Sequence, residues 1–216
     1  MRPLIWGFME EYMLSVLKSG GILIIPIILC GFIATFIVIE RIFYFLSIRK
    51  QDKLLYSQIN PLLERRDFST ALDVCNSYET PTAQVVGKAL AFRNYSPDDI
   101  KDAVMTESTR QIPRLEKFLT SLGTIANIAT LLGLLGTVTG NIRAFGVLGA
   151  GGTMGNPAVL AGAIAEALVT TASGLVVSIP SLIFHNFFVS RANRIILDME
   201  NTVTEMILKY FTKPNM

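Results

Sequence analysis

The sequence predicts an all-α integral membrane protein, and three observations carry that prediction. Of its 216 residues 51% are hydrophobic and 17% charged, with a mean hydropathy of +0.48, too apolar a balance for a soluble domain. Three charge-poor runs are each long enough to cross roughly 30 Å of hydrocarbon. Lysine and arginine crowd one side of the topology that those runs define. The net charge of +2 is too small to direct the chain to nucleic acid, and no basic run with interleaved aromatics appears. Partners are therefore expected to be membrane and protein.

Residues 1–18 form the N-terminal segment. One early arginine is followed by Glu10, Glu11 and Lys18, with no uninterrupted apolar stretch and no small-residue cleavage site, so a cleaved signal peptide is not expected. The first span is assigned to 19–46, because Ser19–Ile39 holds 21 residues without a charge. Residues 47–117 read as a domain of short helices, broken at Asn60-Pro61, at Asp67 to Ser69 and at Thr80-Pro81. Ser96-Pro97-Asp98-Asp99 is a strong helix start, with a cap, a proline at the first position and acids facing the helix dipole. That helix is expected to run into the second span with a bend at Pro113.

The second span, 118–149, follows from the 25 uncharged residues Phe118–Ile142. A short turn at 150–157 leads to the third, 158–190, where Asn156 can cap and Pro157 suits the first helical position. The tail, 191–216, carries Ile195, Ile196, Met199, Val203, Met206, Ile207 and Tyr210 at helical spacing, which predicts that the third helix continues. Eleven of the Lys and Arg residues lie between Ser47 and Lys117 and four from Arg191 onward, against two before the first span and none from Ala144 to Val189. The positive-inside rule then places the middle segment and C-terminus in the cytoplasm and the N-terminus outside.

Between Arg143 and Arg191 the only formally charged side chain is Glu166. A carboxylate at the bilayer centre costs about 2.5–3.5 kcal/mol on insertion scales, so it should face protein or water, or be protonated. Thr170 and Ser173 share its helical stripe, while Thr171 falls in an adjacent sector with Ser178. Each hydroxyl taken singly reads as bonded to its own backbone; their grouping around the one acid suggests a polar path. If the outer turn is centred near Thr153, Thr137 and Thr171 lie at nearly the same depth. Gly133, Gly136, Gly140 and Gly174 read as close-approach positions between helices. No Gly-Lys-Ser/Thr follows them, which excludes a phosphate loop. The isolated Cys30 and Cys75 indicate neither a disulfide framework nor a metal site. No metal-ligand cluster, cofactor motif or nucleophile–base pair points to an enzyme.

ATLLGLLGTVTGNIRAF followed by AIAEALVTTASGLVVSIPSLIFHNF resembles the hallmark region of the MotA/TolQ/ExbB proton channel family, most closely its three-span ExbB and TolQ branch. The likeness is strongest over residues 112–190. It implies a homopentamer around a central pore, enclosing a dimer of an ExbD- or TolR-like single-span partner, in a bacterial inner membrane. The partner would supply the proton-carrying aspartate; hydroxyls at Thr137 and Thr171 would solvate it and Glu166 would support the path. Thr170 is grouped with them as a pathway candidate. The implied output is work on a TonB- or TolA-like protein, serving outer-membrane uptake, envelope maintenance or motility. Arg143 departs from the family pattern near the outer end of the second span. Two readings from other classes are a small-solute transporter, which three dissimilar spans without inverted repeats do not favour, and a structural membrane scaffold.

Overall fold

A computed structural model describes residues 21–150 and 157–211, and every regular element among them is helical. The elements are α1 (Ile24–Glu64), α2 (Phe68–Asn76), α3 (Pro81–Ala91), α4 (Pro97–Leu115), α5 (Leu119–Ala150) and α6 (Pro157–Met206), closed by a π-helical turn, Ile207–Phe211. Helices α1, α5 and α6 are each long and apolar enough to cross a membrane. The N-terminal segment, the Asn156 cap and most of the 150–157 turn lie outside the described residues.

Two expected features are corrected. Asn60-Pro61 does not break α1, which continues to Glu64 with Pro61 inside it. The chain turns instead at Arg66, in the left-handed region (φ 58°), where the Asp67 amide donates to the Leu62 carbonyl at 2.9 Å. This is the usual closure of a helix C-terminus, here with arginine where glycine is commoner. Nor does α4 run on through a bend at Pro113. Pro113 sits within α4, which is capped at Glu116, and Phe118 takes a left-handed φ of 64° before α5 begins. The other starts form where expected: Asp67 and Thr80 cap α2 and α3, and Ser96 with Asp99 makes a reciprocal capping box on α4.

Contacts divide the chain into two compact units, Met1–Val38 with Thr120–His185, and Ile39–Leu119 with Asn186–Met216. In the first, α5 buries Leu122, Ala126, Ala129, Gly133, Gly136, Gly140 and Ala144, at spacings of three and four. The facing stripe of α6 is Ala163, Ala167, Thr170, Gly174, Ser178 and Ser181. Beyond Leu122, both stripes consist of small side chains. Leucine, isoleucine and valine point outward instead, Leu131, Ile142, Val176 and Ile183 among them. Inside a bilayer lipid competes equally for large apolar groups, so close backbone approach through small residues holds such helices together. On α1, Ile24, Ile27, Ala34 and Ile37 are buried, and Gly31 packs against Val177.

The second unit has a conventional apolar core. Leu55, Ile59 and Leu63 of α1, Val85, Val86 and Leu90 of α3, Ile100 and Val104 of α4, and Ala192, Met199 and Val203 of α6 are all buried. Of the tail stripe, Ile195, Met199, Val203, Met206 and Ile207 are buried, as their spacing predicts. Phe45 stacks on Phe188 with centroids 5.7 Å apart. Arg41 is 1% exposed. Its guanidinium donates to Glu40 at 2.7 Å, lies over the Tyr44 and Phe118 rings, and reaches the Arg114 carbonyl at 3.5 Å. A cation is thus placed at the carbonyl end of α4, and the left-handed Phe118 is held by the ring contact.

Within the same core, Asp52 accepts a hydrogen bond from the Thr82 hydroxyl at 2.8 Å, while its other oxygen is buried with no partner. Burial pushes its carboxyl above the ordinary range, against the lowering effect of the Thr82 and Thr80 hydroxyls. A folded-state pKa above the unfolded value means that the native state holds the proton more tightly, so stability is lost as pH rises through the raised value. Asp52→Asn is therefore expected to raise the melting temperature at pH 7 and to flatten the decline between acid and neutral pH. Thermal unfolding of the detergent-solubilised chain across pH 4–8 checks this; an unchanged profile would remove Asp52 from the account. Cys75 lies in the same core, 1% exposed, and burial pushes its thiol up to about 11.

Candidate functional site: the polar face between α5 and α6

The site is built on the antiparallel crossing of α5 and α6. A side-chain carbon added to Gly136 would lie 2.5 Å from the Thr170 methyl, and one on Gly140 2.5 Å from Ala167 Cβ. One on Gly174 would lie 2.5 Å from the Ala129 carbonyl oxygen and 3.0 Å from Gly133 Cα. All four packing glycines therefore stand where the two backbones or their shortest side chains touch. The facing pairs Gly133–Gly174, Gly136–Thr170 and Gly140–Ala167 are centred close to position 153, so Thr137 lies level with the Thr170–Thr171 turn.

At the level of Thr137, Thr171 is a hydroxyl that ties the two helices. It donates to the Gly133 carbonyl at 2.7 Å, with the Ala167 carbonyl of its own helix at 3.1 Å. Glycine at 133 favours that reach, because an added side-chain carbon would lie 3.2 Å from the Thr171 backbone, closer than usual contact. Thr170 is 1% exposed and donates back to the Glu166 carbonyl at 2.8 Å. Thr137 is half-buried and donates to the Leu134 carbonyl at 2.6 Å. Ser173 likewise bonds within its helix, to Val169. Within one chain Thr171 is thus joined to α5, while the Thr137 hydroxyl bonds to its own helix at the same level.

Glu166 is engaged from the facing helix. Arg143 of α5 donates to its carboxylate at 2.5 Å, the Arg143 side chain being 60% exposed and that of Glu166 25%. Gly21, in the left-handed region at φ 63°, brings its backbone so close to the carboxylate that any side chain there would collide with it. The acid therefore sits at the end of the α5–α6 crossing nearer the 150–157 connection, charge-paired and covered on one side by backbone. Two further contacts lie deeper: Thr130 donates to Ser178 at 2.6 Å, and Gly123 leaves room for the His185 ring, 3.1 Å from where its side chain would start.

Sequence reasoning singled out Arg143 and Glu166 separately but did not pair them. The signal was present: one cation and one acid, both alone in apolar runs, at positions centred on the same short connection between α5 and α6. The Thr130–Ser178 bond and the His185–Gly123 contact were not foreseen, since a hydroxyl or imidazole in an apolar run carries no sign of its cross-helix partner.

The profile of the MotA/TolQ/ExbB proton channel family matches residues 77–201, more than half of the chain. A Synechocystis protein named as an ExbB-like biopolymer transport protein is 31% identical over 171 residues, 79% of this chain and 81% of its own length. The biopolymer transport protein ExbB of Aquifex aeolicus is 39% identical over 98 residues, covering 44% of this chain and 66% of the relative. That of Xanthomonas campestris is 35% identical over 126 residues, 58% and 47% respectively.

Proposed function

The chain belongs to the MotA/TolQ/ExbB proton channel family, and from that premise we propose that it is a non-enzymatic, ExbB-like subunit of an inner-membrane proton-driven motor. Five copies surround the single-span helices of an ExbD-like dimer, and protons descending the membrane potential, at about 2.3 kcal/mol per charge per 100 mV, turn one set of helices against the other. A TonB-like protein carries that motion to the outer membrane. The N-terminus lies in the periplasm and the C-terminus in the cytoplasm, a reading supported by the distribution of Lys and Arg. A TolQ-like role in envelope maintenance or a motility role uses the same machinery with a different recipient.

The observation that carries this reading is the division of labour on α5 and α6. Their small residues are used up in holding the two helices together, whereas Glu166 and Thr137 remain partly uncovered beside wide apolar surfaces such as Leu131, Leu134, Leu168 and Leu175. One chain therefore offers half of a polar path, and neighbouring copies together with a partner helix would complete it. The spans hold no aspartate, in keeping with a partner that brings the proton-carrying acid.

Native mass of the detergent-purified chain tests assembly, with five times 23.8 kDa expected plus a partner dimer on co-expression. Thr137→Ala combined with Thr171→Ala tests the path. The double variant is expected to keep its native mass and to lose about tenfold or more of its proton flux in proteoliposomes, because two hydroxyls at one depth are removed. Unchanged flux would sink the assignment of these threonines. A scaffold role predicts instead that the double variant loses assembly and that wild type conducts nothing.

A further inference from the structure

We propose that the second unit carries a binding groove for an anionic phospholipid, formed where α1 and α6 lie together. Its lining is Ile42, Phe45, Leu46 and Arg49 from α1, with Phe187, Phe188, Ser190, Arg191 and Arg194 from α6. The floor is closed by the stacked pair Phe45 and Phe188, which are 7% and 1% exposed. Above it Ile42, Leu46 and Phe187 stand open, Leu46 and Phe187 more than half exposed.

The two helices present the same order of chemistry. On α1 the apolar residues come first and Arg49 follows one turn after Phe45; on α6 Arg191 follows one turn after Phe187, with Arg194 a further turn on. With Phe45 and Phe188 side by side, all three guanidinium groups fall at one end of the groove and the apolar walls at the other. That is the layout of a phospholipid, hydrocarbon at one end and phosphate at the other.

Charge separates this groove from an ordinary helix flank. Arg41, one turn earlier on α1, is buried and neutralised by Glu40. Among the described residues Arg49, Arg191 and Arg194 form no ion pair, and the groove lining contains no carboxylate. Flanking arginines that served only to orient the chain could lie anywhere around either helix. Here three converge from two helices on one apolar trough. Guanidinium groups bind phosphate oxygens through paired N–H donors, and basic pockets between membrane helices take anionic headgroups in this way. The orientation proposed above puts the groove in the cytoplasmic leaflet. Only that clause rests on the proposed function, and the binding itself does not require proton conduction.

The test is native mass spectrometry of the full-length protein in mild detergent, titrated with palmitoyl-oleoyl phosphatidylglycerol or with phosphatidylcholine bearing the same chains. Wild type is expected to retain phosphatidylglycerol about tenfold more strongly, given three cations at the membrane surface. Combined Arg49→Gln, Arg191→Gln and Arg194→Gln should erase that preference at unchanged native mass, and the three lysine replacements should restore part of it. Removing three other arginines, Arg65, Arg66 and Arg110, should leave it intact. Equal retention of the two lipids by wild type, or equal loss in the control variant, overturns the proposal. Displacement of phosphatidylglycerol by millimolar glycerol 3-phosphate overturns it in favour of a free phosphate ligand. Dissociation of the oligomer in the glutamine variant, with no lipid preference in wild type, overturns it in favour of a second copy covering the groove.

Discussion

Glu166→Gln is expected to abolish proton flux in proteoliposomes containing the chain and its co-expressed partner, by about tenfold or more, while the native mass stays that of wild type. The amide keeps the shape and hydrogen-bonding capacity of the acid but loses its charge, so a residue that merely glued helices together would tolerate the change. Arg143 supplies the decisive control. Its guanidinium lies 2.5 Å from the carboxylate, and in the variant it stands at the end of the crossing nearer the 150–157 connection without its counter-charge. Flux could therefore fail either because the path needs the carboxylate or because an unbalanced cation repels protons. Combining Glu166→Gln with Arg143→Gln separates the two. Continued inactivity is expected and assigns the carboxylate to the path; recovery would mean that Glu166 serves only to neutralise Arg143.

The second large effect is steric. Gly174→Val should destabilise the α5–α6 pair by about 3 kcal/mol or more, at or beyond the upper end of what over-packing usually costs. The added atoms would meet the Ala129 carbonyl and Gly133 Cα, which are backbone and cannot rotate aside. The helices would have to part, breaking the Thr171 hydrogen bond to the Gly133 carbonyl as they do so. A melting temperature lowered by several degrees and a fall in the yield of folded protein are the readouts. Gly146 and Gly162 have nothing near the position of an added carbon, so Gly146→Ala and Gly162→Ala should be neutral or slightly stabilising through better helix propensity. A melting temperature for Gly174→Val equal to that of these controls would refute close approach at the crossing.

The helical class, three apolar spans and most helix starts follow from local physics, and the sequence by itself determined them. Charge-free length, caps such as Ser96 with Asp99, and the three-and-four spacing of the tail act within a few residues and need no partner. The level shared by Thr137 and Thr171 was legible for the same reason, because two helices joined by a short turn must run back at one rise per residue. Tertiary structure decided what depends on the facing surface. Pro61 stays inside a helix because its missing amide is one lost bond in a segment packed through Leu55, Ile59 and Leu63. Arg41, which by composition belongs with the charges flanking a span, is buried because Glu40, Tyr44 and Phe118 surround it. The Glu166–Arg143 pair and the cross-helix bonds of Thr171 and Thr130 likewise depend on which side chains the crossing sets opposite each other. Spacing along one helix establishes a face; only the packed neighbour establishes what that face meets.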